Sequence, residues 1–500
     1  MSFDIPAPKG WTLVKLSDLG EVNRGRSRHR PRYAEHLYGG QYPFIQTGDV
    51  KASGGRITEF TQTYSEAGLA QSRLWPTGTL CITIAANIAE TGILSFPACF
   101  PDSVIGFIAD ESKCNVYFVE YMFRLLRARI QAQATGSVQD NINLQTLDRI
   151  QFPIPSLEEQ NRIVGILNAF DGKLLINTQT NQTLEQMAQA LFKSWFVDFD
   201  PVIDNALDSG FFDQLAAGDG IPEPLAARVA VRRAVREGMR QALRQAMTEG
   251  APAATGAAAA AGEPTAINAS FSASPSLPAD IRALFPSSFV EHPELGWIPE
   301  GWECVEVKDL CKKVQNGGTP KRNEPTFWEG GDIPWLTSGE VRQGLIVAVD
   351  NTITEKGLQS SSAKWLPADV TLIALYGATA GEVAFSSIPL TTNQAVCALI
   401  PDLNMRFFNY LAMKNKVAEL AGLAVGSAQQ NISKGLVEST QVIRPSDSVL
   451  EKFDVTLQPI FSYWQANIKQ AQSLANLRDT LLPKLLSGEL TLAEAGPEAD

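Results

Sequence analysis

The sequence predicts a mixed α/β fold, in which two tandem related domains are separated by two long helices that form an antiparallel coiled coil. Three observations predict it: an internal repeat, short apolar segments between turn-forming residues, and two long stretches with heptad spacing. The chain has 500 residues, which is too long for one compact core. It is therefore expected to hold at least two domains.

Three pairs of similar segments keep one spacing along the chain. PKGWTLVKLSDL at 8–19 resembles PEGWECVEVKDL at 299–310, and YPFIQTGDV at 42–50 resembles IPWLTSGEV at 333–341, both 291 residues apart. Farther on, ATGSVQDNI at 134–142 resembles AVGSAQQNI at 424–432, 290 residues apart. Chance similarity would not keep register over so long a stretch, so the chain is a duplication of a domain of about 150 residues.

Each copy has the pattern of a mixed α/β domain. LCITIAA at 80–86 and VTLIALY at 370–376 are typical of buried strands. NGGTP at 316–320 indicates a turn, and VYFVEYMFRLLRARIQ at 116–131 has apolar residues at helical spacing. The strand order does not follow from these patterns.

Each copy runs into a long helix whose apolar or small residues recur at alternating steps of three and four. The first series is Ile163, Leu167, Phe170, Leu174, Asn177, Asn181, Leu184, Ala188, Leu191 and Trp195, and the second is Phe453, Leu457, Ile460, Trp464, Asn467, Ala471, Leu474, Arg478, Leu481 and Leu485. Ser156 and Glu159 have capping-box spacing at the start of the first helix. Such a series predicts a coiled-coil seam. The alternative is two amphipathic helices packed on separate domains, but the matched register favours a mutual pair.

Asn177 and Asn467 hold the same heptad position near the middle of the two helices. Central positions face each other in an antiparallel pair, so we expect these residues to approach one another. A polar residue at such a position fixes the register at a cost in stability.

The segment between the copies has a different composition. DFDPVID at 198–204 ends the first helix, PLAARVAVRRAVREGMRQALRQAMT at 224–248 predicts an Arg-rich helix, and the Ala-rich stretch at 251–276 is typical of a flexible linker. The Arg-rich helix either binds phosphate or a partner, or is simply a solvated face. The predicted boundaries are a first domain at 1–157, a first spacer helix at 158–197, an insertion at 198–296, a second domain at 297–447, and a second spacer helix with a tail at 448–500.

Charge and cysteine use restrict the possible functions. The net charge of −12 disfavours DNA binding at first sight, because duplex binding draws on Lys and Arg. RGRSRHRPR at 24–32, however, has Arg at every second position, which would share one face on a strand or form a basic patch in a loop. The alternative is a solvated surface loop.

The six cysteines form no CxxC pair, the N-terminus lacks a secretory pattern and no apolar run would span a membrane, so we expect a cytoplasmic protein.

The sequence predicts no catalytic and no metal site. It has three histidines, no Walker loop and no dinucleotide-binding glycine motif. Asp102 with Glu111 and Lys113 imitates the loose PD…ExK arrangement of metal-dependent nucleases, but the second copy lacks the Glu-x-Lys part.

Three strings carry a family resemblance. LFKSWFVDFDPV at 191–202, PSSFVEHPELGWIPEGW at 286–302 and LRDTLLPKLLSGEL at 477–490 resemble conserved segments of the specificity subunit of type I restriction-modification systems. With the repeat, the resemblance covers nearly the whole chain. The departure lies at about 204–280, which is longer and richer in alanine than the family pattern.

The resemblance implies a non-catalytic, DNA-binding specificity subunit that acts in phage defence. Each domain would be a target recognition domain that reads one half of a bipartite double-stranded DNA target. A helix of about 38 residues spans about 57 Å, enough to separate readers by a DNA turn of about 34 Å or more. The implied partners are modification (methyltransferase) subunits, which methylate a flipped adenine with S-adenosylmethionine, and restriction (motor-nuclease) subunits that use ATP and Mg²⁺. The chain itself would bind no cofactor and no membrane.

Candidate DNA-binding residues follow from the chemistry of base edges, which Arg, Asn, Gln, Ser, Thr and carboxylates read. In the first domain they are Arg24, Arg26, Arg28, Arg30, Gln46, Thr47, Asp49, Ser137, Gln139 and Asn141, and in the second they are Lys321, Arg322, Thr337, Ser338, Glu340, Ser427, Gln429, Gln430 and Asn431. The residues that recur in both copies have an alternative role, in which they hold the scaffold or contact phosphates. Two other functions stay open: a coiled-coil scaffold without DNA specificity, which the acidic balance favours weakly, and a stand-alone nuclease or methyltransferase, which the incomplete motifs disfavour.

Overall fold

The computed structural model describes residues 7–28, 31, 34–85, 87–135, 144–218, 220–248, 277–402, 404–424 and 431–490. The expected linker at 251–276 lies outside the described residues, as do the candidate DNA readers Arg30, Ser137, Gln139, Asn141, Ser427, Gln429 and Gln430. The chain divides into two compact units, one formed by Met1–Ile176 with Ala471–Asp500 and the other by Asn177–Gln470. Each unit contains one copy of the repeat and a part of each long helix.

The first unit is built around a five-stranded sheet. Its strands are β1 Thr12–Lys15, β2 Gly20–Arg24, β3 Tyr38–Phe44, β4 Arg56–Ile57, β5 Gln62–Tyr64, β6 Leu80–Thr83, β7 Thr91–Leu94, β8 Val104–Ala109 and β9 Gln151–Ile154. Its helices are α1 Thr47–Ala52, α2 Glu66–Ala70, α3 Val116–Thr135, α4 Leu144–Asp148 and the start of the long α5, Leu157–Phe196. The sheet has the order β2-β8-β6-β7-β4, with a parallel edge at β4–β7, while β1 pairs with β9 and β3 with β5.

The second unit begins with helices and then repeats the sheet. Its further helices are α6 Asp200–Asp208, α7 Phe211–Ala217, α8 Glu223–Thr248, α9 Ala279–Arg282, α10 Glu355–Gln359, α11 Arg406–Ala424, α12 Lys434–Glu438 and the long α13, Asp447–Leu486, whose end belongs to the first unit. Its strands are β10 Phe289–His292, β11 Gly296–Pro299, β12 Glu303–Glu306, β13 Cys311–Asn316, β14 Ile333–Leu336, β15 Leu345–Ile346, β16 Asn351–Ile353, β17 Val370–Ala374, β18 Val383–Ser386, β19 Thr391–Thr392, β20 Val396–Pro401 and β21 Gln441–Arg444.

The two sheets have one topology. The second has the order β13-β20-β17-β18-β15, and its edge pair β15–β18 is again parallel. Strand by strand this matches the first sheet, and the outer pair β12–β21 matches β1–β9. The duplication predicted from the sequence is confirmed, as are the strands expected within 80–86 and 370–376 and the helix expected at 116–131.

Alternating side chains build the core on both faces of each sheet. In β6, Leu80 and Ile82 pack on the face that α3 covers, while Cys81 points to the opposite face with Trp75 and Phe100. In β17, Ile373 likewise packs with α11, and Leu372 and Ala374 belong to the other face. Because both faces are covered, the central strands β6 and β17 are buried along their whole length and are mostly apolar.

The long helices pair antiparallel within each unit. In the first unit Asp171 of α5 contacts Arg478 of α13, and Leu485 packs in the same core as Ile163. In the second unit Asn177 contacts Asn467, and Phe192 meets Phe453. Every residue of the two predicted heptad series is buried or half-buried, so the predicted antiparallel coiled coil is confirmed.

Polar contacts mark the start of α5 and the middle of this seam. The Ser156 hydroxyl accepts the backbone N–H of Glu159 at 3.3 Å, as the predicted cap requires. Asn177 donates its side-chain amide to the Gln470 amide oxygen at 2.9 Å and to the backbone carbonyl of Asn467 at 3.5 Å. The two central asparagines therefore lie in contact, through the main chain of Asn467 rather than through both side chains.

A buried charge cluster fastens the first domain to the helices within its unit. Asp171 accepts hydrogen bonds from Tyr121 at 2.8 Å, Arg124 at 3.2 Å and Arg478 at 2.8 Å. Burial raises the pKa of the Asp171 carboxyl, but the guanidinium of Arg124 and the bonds from Arg478 and Tyr121 outweigh it, so the pKa lies below its usual range. The cluster continues from Arg124 to the fully buried Glu120.

In the second unit, a different set of ion pairs holds the domain against the long helices. Arg406, at the start of α11, donates two hydrogen bonds to Asp454 of α13, at 2.9 and 2.8 Å, and a third to Asp369 at 2.7 Å. Bidentate geometry of this kind fixes both distance and angle. Each domain is thus held against its part of the helix pair by a different set of charges.

The Arg-rich helix α8 docks through part of its arginine face. Arg232 is only 4% exposed and forms two hydrogen bonds with Asp204 of α6, at 2.9 and 2.6 Å. Arg236 and Arg282 both bind Asp208 at the end of α6. The expectation of a simply solvated helix is therefore wrong for this face, because carboxylates that follow α5 neutralise its arginines.

No helix in the described part of the chain combines the length and the apolarity needed to cross a bilayer.

Removing Arg232 should destabilise the second unit. Arg232→Met removes the bidentate partner of the buried Asp204 and leaves only the longer contact with Arg236, so we expect the free energy of unfolding to fall by about 3 kcal/mol, measured by urea unfolding followed by tryptophan fluorescence. Arg240→Met, on an exposed part of the same helix, should change it by less than about 0.5 kcal/mol. Equal effects of the two substitutions would show that the ion pair contributes nothing specific.

Candidate DNA interface

The predicted reader segments of the first unit meet at one end of its sheet. Arg24, the last residue of β2, pairs with Ile105 of β8, and the adjacent Val104 pairs with Thr83 at the end of β6. The loops that leave these strands therefore start side by side. We call the described residues of 24–28, 84–90 and 101–103 the first loop end.

Helix α1 joins the first loop end from the side. The backbone N–H of Ile45 donates to Cys99 at 2.8 Å, and that of Arg26 donates to the neighbouring Phe100 at 3.1 Å. The Lys51 ammonium reaches the Asn87 amide oxygen at 3.5 Å. Gln46 and Thr47, at the start of α1, consequently lie close to Arg24, Arg26 and Arg28, although Gln46 is 18 positions after Arg28 along the chain.

The basic segment forms a loop rather than a strand face. Strand β2 ends at Arg24, and Arg26 and Arg28 follow in irregular structure, with all three side chains exposed. A Cβ at Gly25 would lie 2.3 Å from the carbonyl oxygen of Pro101, so only glycine permits the close approach at which the strand ends. The arrangement with five arginines on one strand is therefore not formed, and the loop alternative holds for the described part. The Arg24 guanidinium donates to the backbone carbonyl of Asp102 at 3.1 Å.

The second unit repeats this arrangement. Asn316 ends β13 opposite Cys397, and Ala374 ends β17 opposite Val396. The chain then continues along β19, where Gly318 donates its N–H to Thr392 at 2.8 Å. We call the described residues 316–322, 375–381 and 393–395 the second loop end.

Arg322 is held in place by two tryptophan rings. Its guanidinium lies 4.8 Å from the ring centre of Trp328 and 4.9 Å from that of Trp335. The indole N–H of Trp328 donates to Lys321, and that of Trp335 donates to Gly318, at 3.0 and 2.9 Å. Stacking leaves the edge of a guanidinium available for bidentate hydrogen bonds while it restricts the side chain. Lys321 and Arg322 are both exposed.

The two recurring carboxylates among the candidate readers have a structural role. Asp49 accepts the backbone N–H of Gln46 at 2.7 Å and the hydroxyl of Thr61 at 3.1 Å. Glu340, only 7% exposed, accepts the backbone N–H and hydroxyl of Thr337, both at 2.8 Å, and the N–H of Asp350 at 2.9 Å. For these two residues the geometry favours the scaffold alternative, because their oxygens already cap a turn.

Of the neighbouring polar candidates, Thr47 and Ser338 are better placed as readers than Gln46 and Thr337. Thr47 and Ser338, one position after each capped residue, are half-buried. The side-chain amide of Gln46 donates a hydrogen bond to the amide oxygen of Gln62 at 2.6 Å, and the hydroxyl of Thr337 donates one to the carboxylate of Glu340. Asn431 is exposed at the end of the described part of the third repeated block.

Sequence reasoning missed a pair of cations at matching positions. Arg342 donates to the backbone carbonyl of Ala378 at 2.6 Å and is exposed, and Lys51 makes the corresponding contact to the loop at Asn87. Both residues lie four positions after Thr47 and Ser338, so the repeat spacing of 291 would have found them. Each tethers α1, or its counterpart at 340–343, to the loop end.

Described residues in or near the third pair of repeated segments form hydrogen bonds with the loop ends. The backbone N–H of Ile432 donates to Leu375 at 2.9 Å, and the Gln131 amide donates to Ile88 at 2.8 Å. Ile88 and Leu375 belong to the two loop ends. Gln131, before the first block, and Ile432, the last residue of the second, therefore contact the two loop ends.

The nuclease-like motif is not assembled. Asp102 precedes β8 and Glu111 follows it, and a strand of six residues separates its ends by about 20 Å. Lys113 forms its ion pair with Asp110 at 3.2 Å instead. Among the residues that the structure describes, no three His, Cys, Asp or Glu side chains are grouped to hold a metal ion.

Comparisons with known proteins agree with this architecture. The family model of the type I restriction modification DNA specificity domain matches residues 8–186 and 299–458. The type I restriction enzyme HindI specificity subunit of Haemophilus influenzae is 29% identical over 95% of this chain and 99% of its own length. The MjaIX specificity subunit of Methanocaldococcus jannaschii is 22% identical over 97% of this chain and 95% of its own length.

A solved structure shares the fold. The S subunit of a type I restriction-modification system from M. genitalium superposes with a TM-score of 0.52 at 15% identity, covering 97% of this chain and 98% of that chain. At this identity the likeness bears on the fold alone.

Substitutions of Glu340 and Ser338 should distinguish a residue that stabilises the fold from a residue that is free to contact DNA. Glu340→Ala leaves the N–H groups of Thr337 and Asp350 without their acceptor, so we expect the free energy of unfolding to fall by about 1–3 kcal/mol. Ser338→Ala, two residues away, should change it by less than about 0.5 kcal/mol. Urea unfolding of both variants measures the difference, and a stable Glu340→Ala protein would contradict the scaffold role.

Proposed function

The chain belongs to the type I restriction-modification DNA specificity family, and we propose that it reads a bipartite DNA target, one half with each loop end. In this proposal the domains at 1–157 and 297–447 are the target recognition domains, and the helices at 158–197 and 448–500 are the spacer. The chain is a non-catalytic subunit, so methylation and cleavage are the work of its partners.

The observation that carries the proposal is the presence of one equivalent loop end in each unit. Each gathers exposed cations and polar side chains from segments that are distant along the chain, at the same end of the same sheet. Cations can neutralise phosphates, while Arg and the amide or hydroxyl groups discriminate base edges. In the first domain we assign contacts with DNA to Arg24, Arg26 and Arg28, with Thr47, and in the second to Lys321 and Arg322, with Ser338.

Arg322 is the strongest candidate for direct base recognition. Its guanidinium lies against the rings of Trp328 and Trp335, which meet edge to face, and its side chain is exposed. A guanidinium held in this way can donate two parallel hydrogen bonds to O6 and N7 of guanine, which is the most common specific contact in the major groove. Lys321, a flexible point charge, suits a phosphate instead.

The partners follow from the family. We propose that modification subunits bind this chain and methylate adenine with S-adenosylmethionine, and that restriction subunits cut unmethylated DNA with ATP and Mg²⁺. All these cofactors would belong to the partners. The insertion at 198–296 belongs to the second unit, where its Phe199 packs against Trp302, while its Arg232 and Asp204 pair with each other.

Methylation mapping tests the proposed function. Long-read sequencing of DNA from cells that express this chain with its neighbouring modification subunit should reveal a split motif methylated at adenine, absent without the chain. Replacing residues 299–447 by those of a relative should change one half of the motif only. An active modification subunit that adds no motif with this chain present would favour the scaffold alternative.

Salt dependence separates the two kinds of contact. In the complex with modification subunits, Lys321→Ala should reduce the slope of log K against log salt by about 1, because one phosphate contact is lost. Arg322→Ala should cost about 1–3 kcal/mol on the target and relax one position of the second half. Lys308→Ala, beside the opposite end of β13, is the control and should change neither quantity. The assignments fail if Lys321→Ala and Arg322→Ala behave alike.

A further inference from the structure

Two large aromatic side chains are exposed in the second domain. Among the described residues of 299–447, the large hydrophobic side chains on the surface are Trp365, 47% exposed, and Tyr376, 41% exposed. The other large apolar side chains of 299–447 whose burial is described, including those of Trp328 and Trp335, are at least partly buried. Single exposed apolar residues are common on protein surfaces, so their location decides whether they have a function.

Trp365 borders the second loop end on one side. Its backbone carbonyl accepts the side-chain amide of Gln315, the residue before Asn316, at 3.5 Å. A Cβ at Gly318 would lie within 2.5 Å of atoms of Ser362 and Ala363, which places the segment before Trp365 directly against the basic segment. Lys364, next to Trp365, is exposed as well.

Tyr376 belongs to the second loop end itself. The preceding residue, Leu375, donates its N–H to Ala395 at 2.8 Å, one residue before the Val396 to which Gly317 donates. Gly377 turns the chain with a φ of +75°, and the Arg342 guanidinium holds the next carbonyl, that of Ala378. None of these bonds uses the Tyr376 ring, so the loop positions an exposed ring without occupying it.

Charge indicates what would cover these rings. Lys321, Arg322, Arg342 and Lys364 are all exposed around them. A surface that combines several cations with aromatic rings suits a polyanion that also offers apolar faces, which describes the bases and methyl groups of a DNA groove.

We propose that Trp365 and Tyr376 contact bases of the second half-target and supply apolar recognition there, in addition to the hydrogen bonds of Arg322. The proposal rests on the proposed function. The first domain has Leu74, also exposed, at the position of Trp365, but Ala85 at the position of Tyr376. The two half-targets are therefore read with different shares of apolar contact.

Binding measurements on the complete complex with modification subunits test the proposal. The probes are the duplex that carries the mapped motif and a random duplex of equal length, each titrated at several salt concentrations. Trp365→Ala and Tyr376→Ala should each weaken binding to the motif by about tenfold, because burial of an aromatic ring is lost. The salt slope should stay unchanged and binding to the random duplex should change less than about twofold. Tyr376→Phe, which keeps the ring, should bind nearly as well as the parent chain.

Val290→Ala is the matched control, an exposed apolar residue on β10, which pairs with β11 and not with the second sheet. Aromatic variants that behave as this control does, or that lose affinity equally for both duplexes, overturn the proposal. If Trp365→Ala fails to fold, the comparison of Tyr376→Ala with Tyr376→Phe tests the proposal, since the Tyr376 ring makes none of the hydrogen bonds that hold the loop. A parent complex without any preference for the motif would refute the proposed function instead.

Discussion

The antiparallel pairing of α5 and α13 is the constraint on which both units depend. The core of the first unit contains Leu167 together with Leu485 from the other helix, and that of the second contains Phe192 together with Phe453. Neither core is complete with one helix alone. A heptad seam by itself permits slippage, because its apolar positions recur every seven residues. The buried amide of Asn177, bonded to Gln470 and Asn467, is satisfied in one register only, so it fixes the alignment on which the two domains are built.

A comparison of the two copies distinguishes residues that stabilise the domain from residues that form its exposed surface. Asp49 and Glu340 recur because both cap the turn before α1 or its counterpart, and a carboxylate is the side chain that accepts the backbone N–H groups there. Exposed positions diverge between the copies, as Leu74 and Trp365 do. Under the proposed function this divergence is expected, since two domains that shared all surface residues would read the same bases. Recurrence within this chain therefore points to scaffold more often than to specificity.

The sequence predicted the fold well, because a repeat and a heptad are periodic and leave their pattern in apolar residues. The partners of polar residues left no such pattern. Glu340 could not be told from a base reader, since its partners are backbone N–H groups that no residue type reveals. Five arginines at alternate positions suggested a strand face, but the close approach of Gly25 to Pro101 depends on tertiary packing. The contact of Arg322 with Trp335 likewise depends on tertiary packing, because Trp335 lies on a separate strand, β14.

Net charge is a poor guide to function here, because it does not show which charged residues pair with one another in the fold. The chain carries 54 acidic and 42 basic residues, yet its charges are sorted by location. Asp204 pairs with Arg232, Asp208 with Arg236 and Asp454 with Arg406, so these charges largely cancel one another in local ion pairs. Arg26, Arg28, Lys321 and Arg322 stay exposed at the loop ends, and no acidic partner is described for them. DNA responds to the local potential within about a Debye length of its phosphates, roughly 10 Å, so an acidic chain can present two basic surfaces to it.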